Sequence, residues 1–556
     1  MVNIEEITPI SIPGATSLLL HFAYNEEYVA MVKSFNPIKY HKELKAWELP
    51  VTYLAEIINK FIIYEDIDIQ LKPQEKIDYD SIKLPSFKTK PYQYQLDGIK
   101  YGITHESWLL LDEAGLGKSL QLIYIAQELK KLHNIKHCLI ICGVNTLKYN
   151  WKKEIQKHSD LDCVILGERI NKRGRAVIGS VSDRLNHLKS DIPEYFIITN
   201  IETVRDDNIA KAINDPKNGI DMIVIDEVHR VKDPNSQQGK SVLKLNRAIF
   251  RIGATGTPLM NSSTDAYVPL QWTDNNHSTF TNFQNYYAVY NNKVLVGHKN
   301  LKALRYQLAC CSLRRTKEDE LPDLPEKVLI PEYVEMSPAQ ESFYENIKHG
   351  VVDEVDKVTI NKISLLSLIT RLRQATELPS ILTTENITSS KIDRACDLTE
   401  QILNSDEKVV IFASFKDTIK ELQSKLSKYN PVVCTGDQSD SEISKTIDRF
   451  QNDPECKVML ATWQKMGVGI TLTAASHAIF ISTPWTDGEF SQACDRLHRI
   501  GAKGTVFIHD LIIANTIDER VWELINEKKA LSDYVVDNVE DDRVMQALWQ
   551  YLIDLK

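Results

Sequence analysis

WLLLDEAGLGKSLQLIYIAQEL, residues 108–129, carries three kinds of local order in 22 residues. Trp108 to Leu111 is a short apolar run of strand length. DEAGLGKS (112–119) is a glycine-bearing turn. Beyond it Leu122, Ile125, Ala126 and Leu129 recur at helical spacing, so the segment predicts an amphipathic helix. A strand that feeds a glycine loop opening a helix is the geometry in which backbone N–H groups converge on phosphate and the helix dipole favours the anion. Gly115 and Gly117 give the loop its freedom, Lys118 supplies a cation to the β- and γ-phosphates, and the Ser119 hydroxyl is placed to reach Mg²⁺. The candidate nucleotide-binding set is Asp112, Glu113, Ala114, Gly115, Leu116, Gly117, Lys118 and Ser119. The strict pattern GxxxxGK[ST] wants glycine where Asp112 stands.

Outward from this unit the pattern repeats. CLIIC (138–142), FIITN (196–200), MIVID (222–226) and RIGAT (251–255) are short, apolar and rich in β-branched residues, as strands covered on both faces should be. Strand alternating with helix predicts a parallel α/β sheet. IVIDEVHR (223–230) ends one strand in two adjacent carboxylates. Asp226 is suited to hold Mg²⁺, and Glu227 to orient and deprotonate an attacking water. His229, directly after them, reads as a relay from the nucleotide to neighbouring loops, with a packed core histidine as the alternative. A second series follows at VVIFASF (409–415), VVCTG (432–436), VMLATW (458–463), AIFIST (478–483) and VFIHDLI (506–512). Between the two series, residues 265–400 are aromatic, charged and helical in pattern, with no evident strand ladder. Residues 1–84 form a separate block of short alternating segments.

The whole chain bounds these readings. Its 556 residues allow ~3–5 domains. Hydrophobic residues at 43% and charged residues at 26% exclude wholesale disorder. Nine cysteines include no CxxC pair, so neither a disulfide framework nor a zinc ribbon is indicated, and a reducing compartment is expected. The opening MVNIEEITPI lacks a basic n-region, and no apolar stretch approaches bilayer length, so neither a secretory signal nor a membrane partner is expected. The expected location is cytoplasmic in a bacterial or phage-infected cell, or nuclear in a eukaryote. A formal net charge of −10 excludes an all-over phosphate-binding coat while permitting a local basic track.

Eight stretches in order, PYQYQLDG, DEAGLGKS, NTLKYNWKKE, IDEVHR, GATGTP, LRRTK, MGVGITL and QACDRLHRIGA, resemble the Swi/Snf-related branch of the superfamily-two helicases over residues 87–525. In that family the first glycine of the phosphate loop is also an aspartate, which accommodates Asp112. The resemblance implies an α/β fold: two RecA-like parallel-sheet lobes with helical protrusions between them, plus a small N-terminal α+β domain. The expected boundaries are 1–84 for the N-terminal block, 85–290 for the ATP-binding lobe, 291–400 for the helical protrusion and linker, 401–530 for the second lobe and 531–556 for a helical tail. It implies an ATP- and Mg²⁺-dependent double-stranded DNA translocase that anneals strands, regresses forks or migrates branches. Gln95 would read the adenine edge. Arg496 and Arg499, three apart and hence expected on one helical face, would act as arginine fingers, and Gly256 and Thr257 would couple nucleotide to strand. Sequence-independent DNA contacts would come from Lys148, Lys152, Thr199, Ser414, Phe415, Thr462, Gly467 and Gly469, with Trp151 read as core. Two departures, Pro484-Trp485-Thr486 and Ala502, fall at positions where the family has Trp-Asn-Pro and glutamine.

FNPIKYHKELKAWELPVTYLAEI (35–57) is similar, around Tyr40, Trp47 and Pro50, to the HARP (HepA-related) module of annealing helicases. That implies recognition of forks or single-to-double-strand junctions, with a small cap on the first lobe as the alternative. Three other readings stay open at the level of sequence. They are a motor subunit of a restriction or defence complex whose nuclease lies on another chain, a nucleotide-dependent clamp, and an RNA-directed helicase. A protein partner is possible and unidentified.

Overall fold

The computed structural model describes residues 2–523 apart from 8–16, 36–37, 51–52, 54–56, 58–66, 71–80, 144–146, 171–175, 260–261, 277, 292–293, 358–361, 439, 464–470, 485–486 and 520. The tail expected at 531–556, and Gly467 and Gly469, lie outside the described residues. Two compact units divide the chain, the main passage lying between Arg315 and Thr316, with Ala114–Leu116 of the phosphate loop grouped with the second.

The first unit begins with a five-stranded sheet built from β1 (Val2–Ile7), β2 (Ser17–His21), β3 (Lys39–His41), β4 (Ala46–Pro50) and β5 (Ile67–Gln70), in the order β3-β4-β2-β1-β5. Its pairs are antiparallel except β1 with β5. With the helix Glu26–Val32 it makes an α+β block. Tyr40 lies opposite Trp47 across β3 and β4, their ring centroids 4.9 Å apart.

The larger part of the unit is a seven-stranded sheet. Its strands are β6 (Ser107–Leu110), β7 (His137–Cys142), β8 (Cys163–Ile165), β11 (Phe196–Asn200), β12 (Ile220–Asp226), β13 (Phe250–Ala254) and β16 (Ser312–Leu313). Small hairpins β9 (Glu168–Ile170) with β10 (Ala176–Ile178), and β14 (Ala288–Asn291) with β15 (Val294–His298), stand apart from it. The order is β16-β6-β13-β12-β7-β11-β8 and every pair is parallel. β7, β11 and β13 are buried along their whole length, as apolar runs covered on both faces require.

The second unit holds a six-stranded, all-parallel sheet. Its strands are β17 (Lys327–Tyr333), β18 (Val409–Ala413), β19 (Val432–Cys434), β20 (Val458–Thr462), β21 (His477–Phe480) and β22 (Val506–Ile512), in the order β17-β22-β21-β18-β20-β19. Its two faces bury separate apolar clusters. Val410, Phe412, Met459 and Phe480 lie in one, and Val409, Ile411, Leu460 and Ile479 in the other. That alternation is the period-two signature of a strand with a core on each side.

The stretch between the two series, read as helical in pattern with no evident strand ladder, departs from expectation. It does contain long helices, Pro338–Lys357 and Lys362–Glu377, but it also gives one strand to each sheet, β16 and β17. β16 is only two residues long, and β17 alternates exposed and half-buried positions around Pro331. An edge strand needs neither a continuous apolar run nor an N–H at every residue, so neither gives a hydrophobic signal.

Candidate active site

Three strand ends set the geometry. β6, β13 and β12 are neighbours, and the register places Leu110 beside Ala254 and Ala254 beside Asp226. The phosphate loop, the residues after GATG and the paired carboxylates therefore emerge side by side at the carboxyl edge of a parallel sheet. Ligands of such sheets bind at this edge.

The loop runs from β6 into the 16-residue helix Lys118–His133. Gly115 and Gly117 have φ of 96° and 76°, in the left-handed region where a side chain is strained. At Gly117 a Cβ would also meet Gln95 Nε2 at 2.4 Å, so this position excludes side chains on two grounds. Gln95 is buried against the loop, and its Oε1 accepts the Tyr92 N–H at 3.0 Å. Lys118 Nζ donates to the carbonyls of Asp112 at 2.8 Å and Glu113 at 3.3 Å. Burial pulls its ammonium below the usual lysine value, and the charges of Glu227, Asp112 and Asp226 oppose that pull.

Asp112, expected among the nucleotide-binding residues, has its carboxylate turned into the protein. It is fully buried, accepts from Arg315 Nε at 2.9 Å and from Gln121 Nε2 at 3.0 Å, and is ion-paired with the Arg315 guanidinium. Its part is to fix the base of the loop, while its main-chain carbonyl receives Lys118.

At the end of β12, Asp226 Oδ2 accepts the Trp151 indole N–H at 2.9 Å and Oδ1 accepts the Glu227 N–H at 3.1 Å. Burial, then the neighbouring charge of Glu227, pushes the Asp226 carboxyl up to about 6, against the pull of Trp151 and Lys118. Glu227 has φ 56° and ψ 49°, a left-handed conformation costing a non-glycine residue roughly 1–3 kcal/mol, of the kind stored at functional sites. Its Oε2 is buried, lies 3.3 Å from His229 Nδ1 and makes no hydrogen bond among the described residues.

His229 is buried and is held at about pKa 3 chiefly by burial, so the ring is neutral. Its Nδ1 shares a hydrogen bond of 2.8 Å with Thr255 Oγ1, and the same oxygen accepts the Thr257 N–H at 3.0 Å. His229 is thus hydrogen-bonded through Thr255 to the Gly256-Thr257 turn and lies within ion-pair distance of Glu227. The partner of His229 is Thr255, a residue that sequence reasoning did not single out. Trp151 is core as expected, 1% exposed, yet its N–H also orients a carboxylate 75 positions away.

In the second unit Arg496 and Arg499 are half-buried. They do not share a helical face. The helix Asp487–Cys494 stops before them, its end tightening as Arg496 N–H donates to Ala493 O at 3.2 Å and Leu497 N–H to Cys494 O at 3.0 Å. Arg496 O accepts Leu472 N–H at 2.8 Å, and His498 O accepts Lys317 Nζ at 2.8 Å. The two arginines sit in successive turns, with Arg499 donating to Thr471 Oγ1 at 3.1 Å.

The expected DNA contacts separate on burial. Lys148 is 2% exposed, which corrects its assignment to a strand-gripping surface. Its helix Leu147–His158 packs the inward stripe of Leu147, Trp151 and Ile155, and Lys148 goes in with them. Lys152 is half-buried and ion-paired with Glu168 at 2.7 Å. Thr199 and Thr462 are buried near the ends of β11 and β20. Ser414 and Phe415 follow β18, and both of their amides donate to Glu377 Oε1, at 3.2 and 3.3 Å. Backbone contact with phosphate through those two amides is therefore not the arrangement present. All nine cysteines are free thiols, and no helix among the described residues is long and apolar enough to cross a membrane.

Comparison with known proteins adds to this geometry. Residues 46–381, more than half the chain, match the profile of the SNF2-related domain, and residues 390–501 match the helicase conserved C-terminal domain. An uncharacterised ATP-dependent helicase of Mycoplasma pneumoniae is 27% identical over 522 residues, covering 90% of this chain and 48% of its own. The DNA annealing helicase and endonuclease ZRANB3 of Bos taurus is 27% identical over 465 residues, 79% of this chain and 40% of that protein. The chain spans about half the length, or less, of these relatives. The solved SWI2/SNF2 ATPase core of Sulfolobus solfataricus in complex with dsDNA is 25% identical and covers 84% of this chain and 97% of its own, at a TM-score of 0.38.

Proposed function

We propose, because this chain belongs to the SNF2-related family of ATP-dependent helicases, that it couples ATP hydrolysis to movement along double-stranded DNA and remodels that DNA by annealing, fork regression or branch migration. The observation that carries the reading is the chain of contacts from Glu227, 3.3 Å from His229 Nδ1, through the His229–Thr255 hydrogen bond to the Thr257 N–H. A phosphate loop beside it would bind a nucleotide. The path gives the state of that nucleotide a route to a neighbouring loop.

In this reading Gln95 and residues 112–119 bind ATP, Glu227 orients and deprotonates water, and Arg496 and Arg499 stabilise charge on the transferred phosphoryl group. Mg²⁺ usually binds through one or two carboxylates together with substrate phosphates. The residues fit that mode, since no cluster of three or more His, Cys, Asp or Glu suited to a metal occurs among the described residues, while Asp226 is oriented by Trp151 and Glu227 offers an unbonded oxygen. Asp226 and Ser119 would hold the ion, which when bound neutralises phosphate charge. Trp151→Phe keeps the ring and removes the N–H. It is expected to raise the Mg²⁺ concentration for half-maximal turnover by roughly 10–100-fold, as loss of a ligand-orienting partner does. A magnesium titration of turnover that superimposes on that of the parent chain counts against Asp226 as the ligand.

The relative ZRANB3, named as a DNA annealing helicase, supports DNA as the substrate. The N-terminal sheet, with Tyr40 43% exposed beside Trp47, supports a junction-recognising module. ATP turnover is to be measured without nucleic acid and with single-stranded DNA, duplex DNA, forked DNA and RNA. Stimulation is expected to be greatest with forked DNA, next with duplex, and least with RNA. Tyr40→Ala should remove roughly 1–3 kcal/mol of fork affinity, the worth of a base-stacking side chain, with duplex stimulation unchanged. RNA stimulation equal to or above that of duplex would overturn the DNA reading.

A further inference from the structure

The motif LRRTK (313–317) supplies none of the proposed catalytic groups, yet each of its polar side chains is committed. On the first unit's side, β16 runs parallel to β6, and its ladder continues into the phosphate loop. Leu111 N–H donates to Leu313 O at 2.8 Å, and Glu113 N–H donates to Arg315 O at 3.0 Å. Arg314 donates to Leu111 O at 2.6 Å and to Gly256 O at 3.3 Å, touching both the loop's strand and the coupling turn. Arg315 grips Asp112, donates to Gln121 Oε1 at 2.7 Å and to the carbonyl of Tyr94, next to Gln95, and lies over the Tyr94 ring.

On the second unit's side, Thr316 caps a short helix, Lys317–Glu320, by accepting the Asp319 N–H at 3.2 Å. Lys317 Nζ donates to Asp495 Oδ1 at 2.6 Å and to His498 O at 2.8 Å. Lys317 and Asp495 are 4% and 5% exposed. These contacts bracket Arg496 and directly precede Arg499. The Lys317–His498 bond ties down the turns in which the two arginines sit.

Buried ion pairs are poor stabilisers: well-packed apolar replacements are often as good, because desolvation costs as much as the attraction returns. Two such pairs, one on each side of the boundary between the units and one residue from it or less, are better explained by position than by stability. We infer that residues 314–317 form a positioning strap. Arg314 and Arg315 hold the phosphate loop and the coupling turn, and Lys317 holds the turn that presents Arg496 and Arg499. Two peptide units separate Arg315 from Lys317, about 7 Å at full extension. Each anchor keeps its half of the catalytic machinery in register.

The inference rests on the proposed role of Arg496 and Arg499, and the test separates the two. In the full chain, Lys317→Met is expected to leave the affinity for a fluorescent ATP analogue within about two-fold, while DNA-saturated kcat falls about ten-fold or more. Arg315→Lys, which loses the two-pronged grip, is expected to weaken that affinity about ten-fold and to lower kcat at saturating ATP less than about three-fold. Should Lys317→Met not fold, Asp495→Asn, which keeps size and an acceptor oxygen, must give the same kcat-only loss. Proportional loss of affinity and kcat in both variants, or a Lys317→Met or Asp495→Asn enzyme at full kcat, overturns the strap. Arg496→Ala run alongside discriminates: unchanged kcat there means the arginine reading has failed, and a collapse there with Lys317→Met unaffected means the strap alone has failed.

Discussion

Glu227→Gln is expected to lower DNA-stimulated ATP turnover by roughly 10²–10⁴-fold, the usual contribution of a positioned general base, while ATP binding persists. At 1.36 kcal/mol per decade this is about 3–5 kcal/mol of barrier. The substitution is nearly isosteric, so the left-handed backbone at φ 56° and the strand end that carries it are kept. What is lost is the basic oxygen, now buried 3.3 Å from a neutral His229. A neutral imidazole with Nδ1 engaged by Thr255 is poorly placed to take over as base. Lys118→Ala supplies the contrast. It removes the cation held by the carbonyls of Asp112 and Glu113, and both affinity and turnover should fall. Nucleotide titration and steady-state turnover on the same two preparations read the difference. A Glu227→Gln enzyme within ten-fold of normal turnover defeats the assignment of the base.

The strands and the phosphate loop were legible because they are local. Apolar runs such as CLIIC and VVIFA fill strands buried on both faces, and the glycines at 115 and 117 mark positive φ without reference to anything distant. What escaped was settled by contacts far apart in sequence. Trp151 at helical spacing with Leu147 and Ile155 reads as core, and it is core. That its N–H also holds Asp226 depends on how helix Leu147–His158 meets the end of β12. Lys148 has the charge of a DNA contact, but its place on that helix carries it inward. Spacing alone put Arg496 and Arg499 on one helical face, but the helix ends at Cys494 and the turns beyond it are held by Leu472 and Lys317, distant in sequence. LRRTK, one of the eight stretches, fell within the expected protrusion and linker, and its two-residue strand is too short for a periodic signal, so its buried ion pairs could not be read from spacing.

The largest loss is expected from the second unit. Arg496→Ala and Arg499→Ala should each lower kcat by ~10³–10⁵, the range for arginine fingers in phosphoryl transfer, equivalent to about 4–7 kcal/mol. ATP affinity should change little, because Lys118 and its loop keep their contacts. That pattern, kcat lost and ground-state binding kept, is the mark of a group whose interaction matters chiefly in the transition state. The double variant should be hardly worse than either single one if the arginines act as a unit. Arg499 also donates to Thr471 Oγ1, so alanine there removes a structural hydrogen bond together with the charge. Thr471→Val separates the two effects, for it cuts that bond and leaves the guanidinium. Near-normal turnover in Thr471→Val beside a collapse in Arg499→Ala assigns the loss to the guanidinium itself. Arg496→Lys and Arg499→Lys should recover little, since an ammonium keeps the charge but cannot reproduce the planar fork. Single-turnover measurements with DNA at saturation read all of these. Alanine variants at both positions with kcat intact would leave the second unit without a part in hydrolysis, and coupling of ATP to DNA movement would then have to run through the His229–Thr255 path alone.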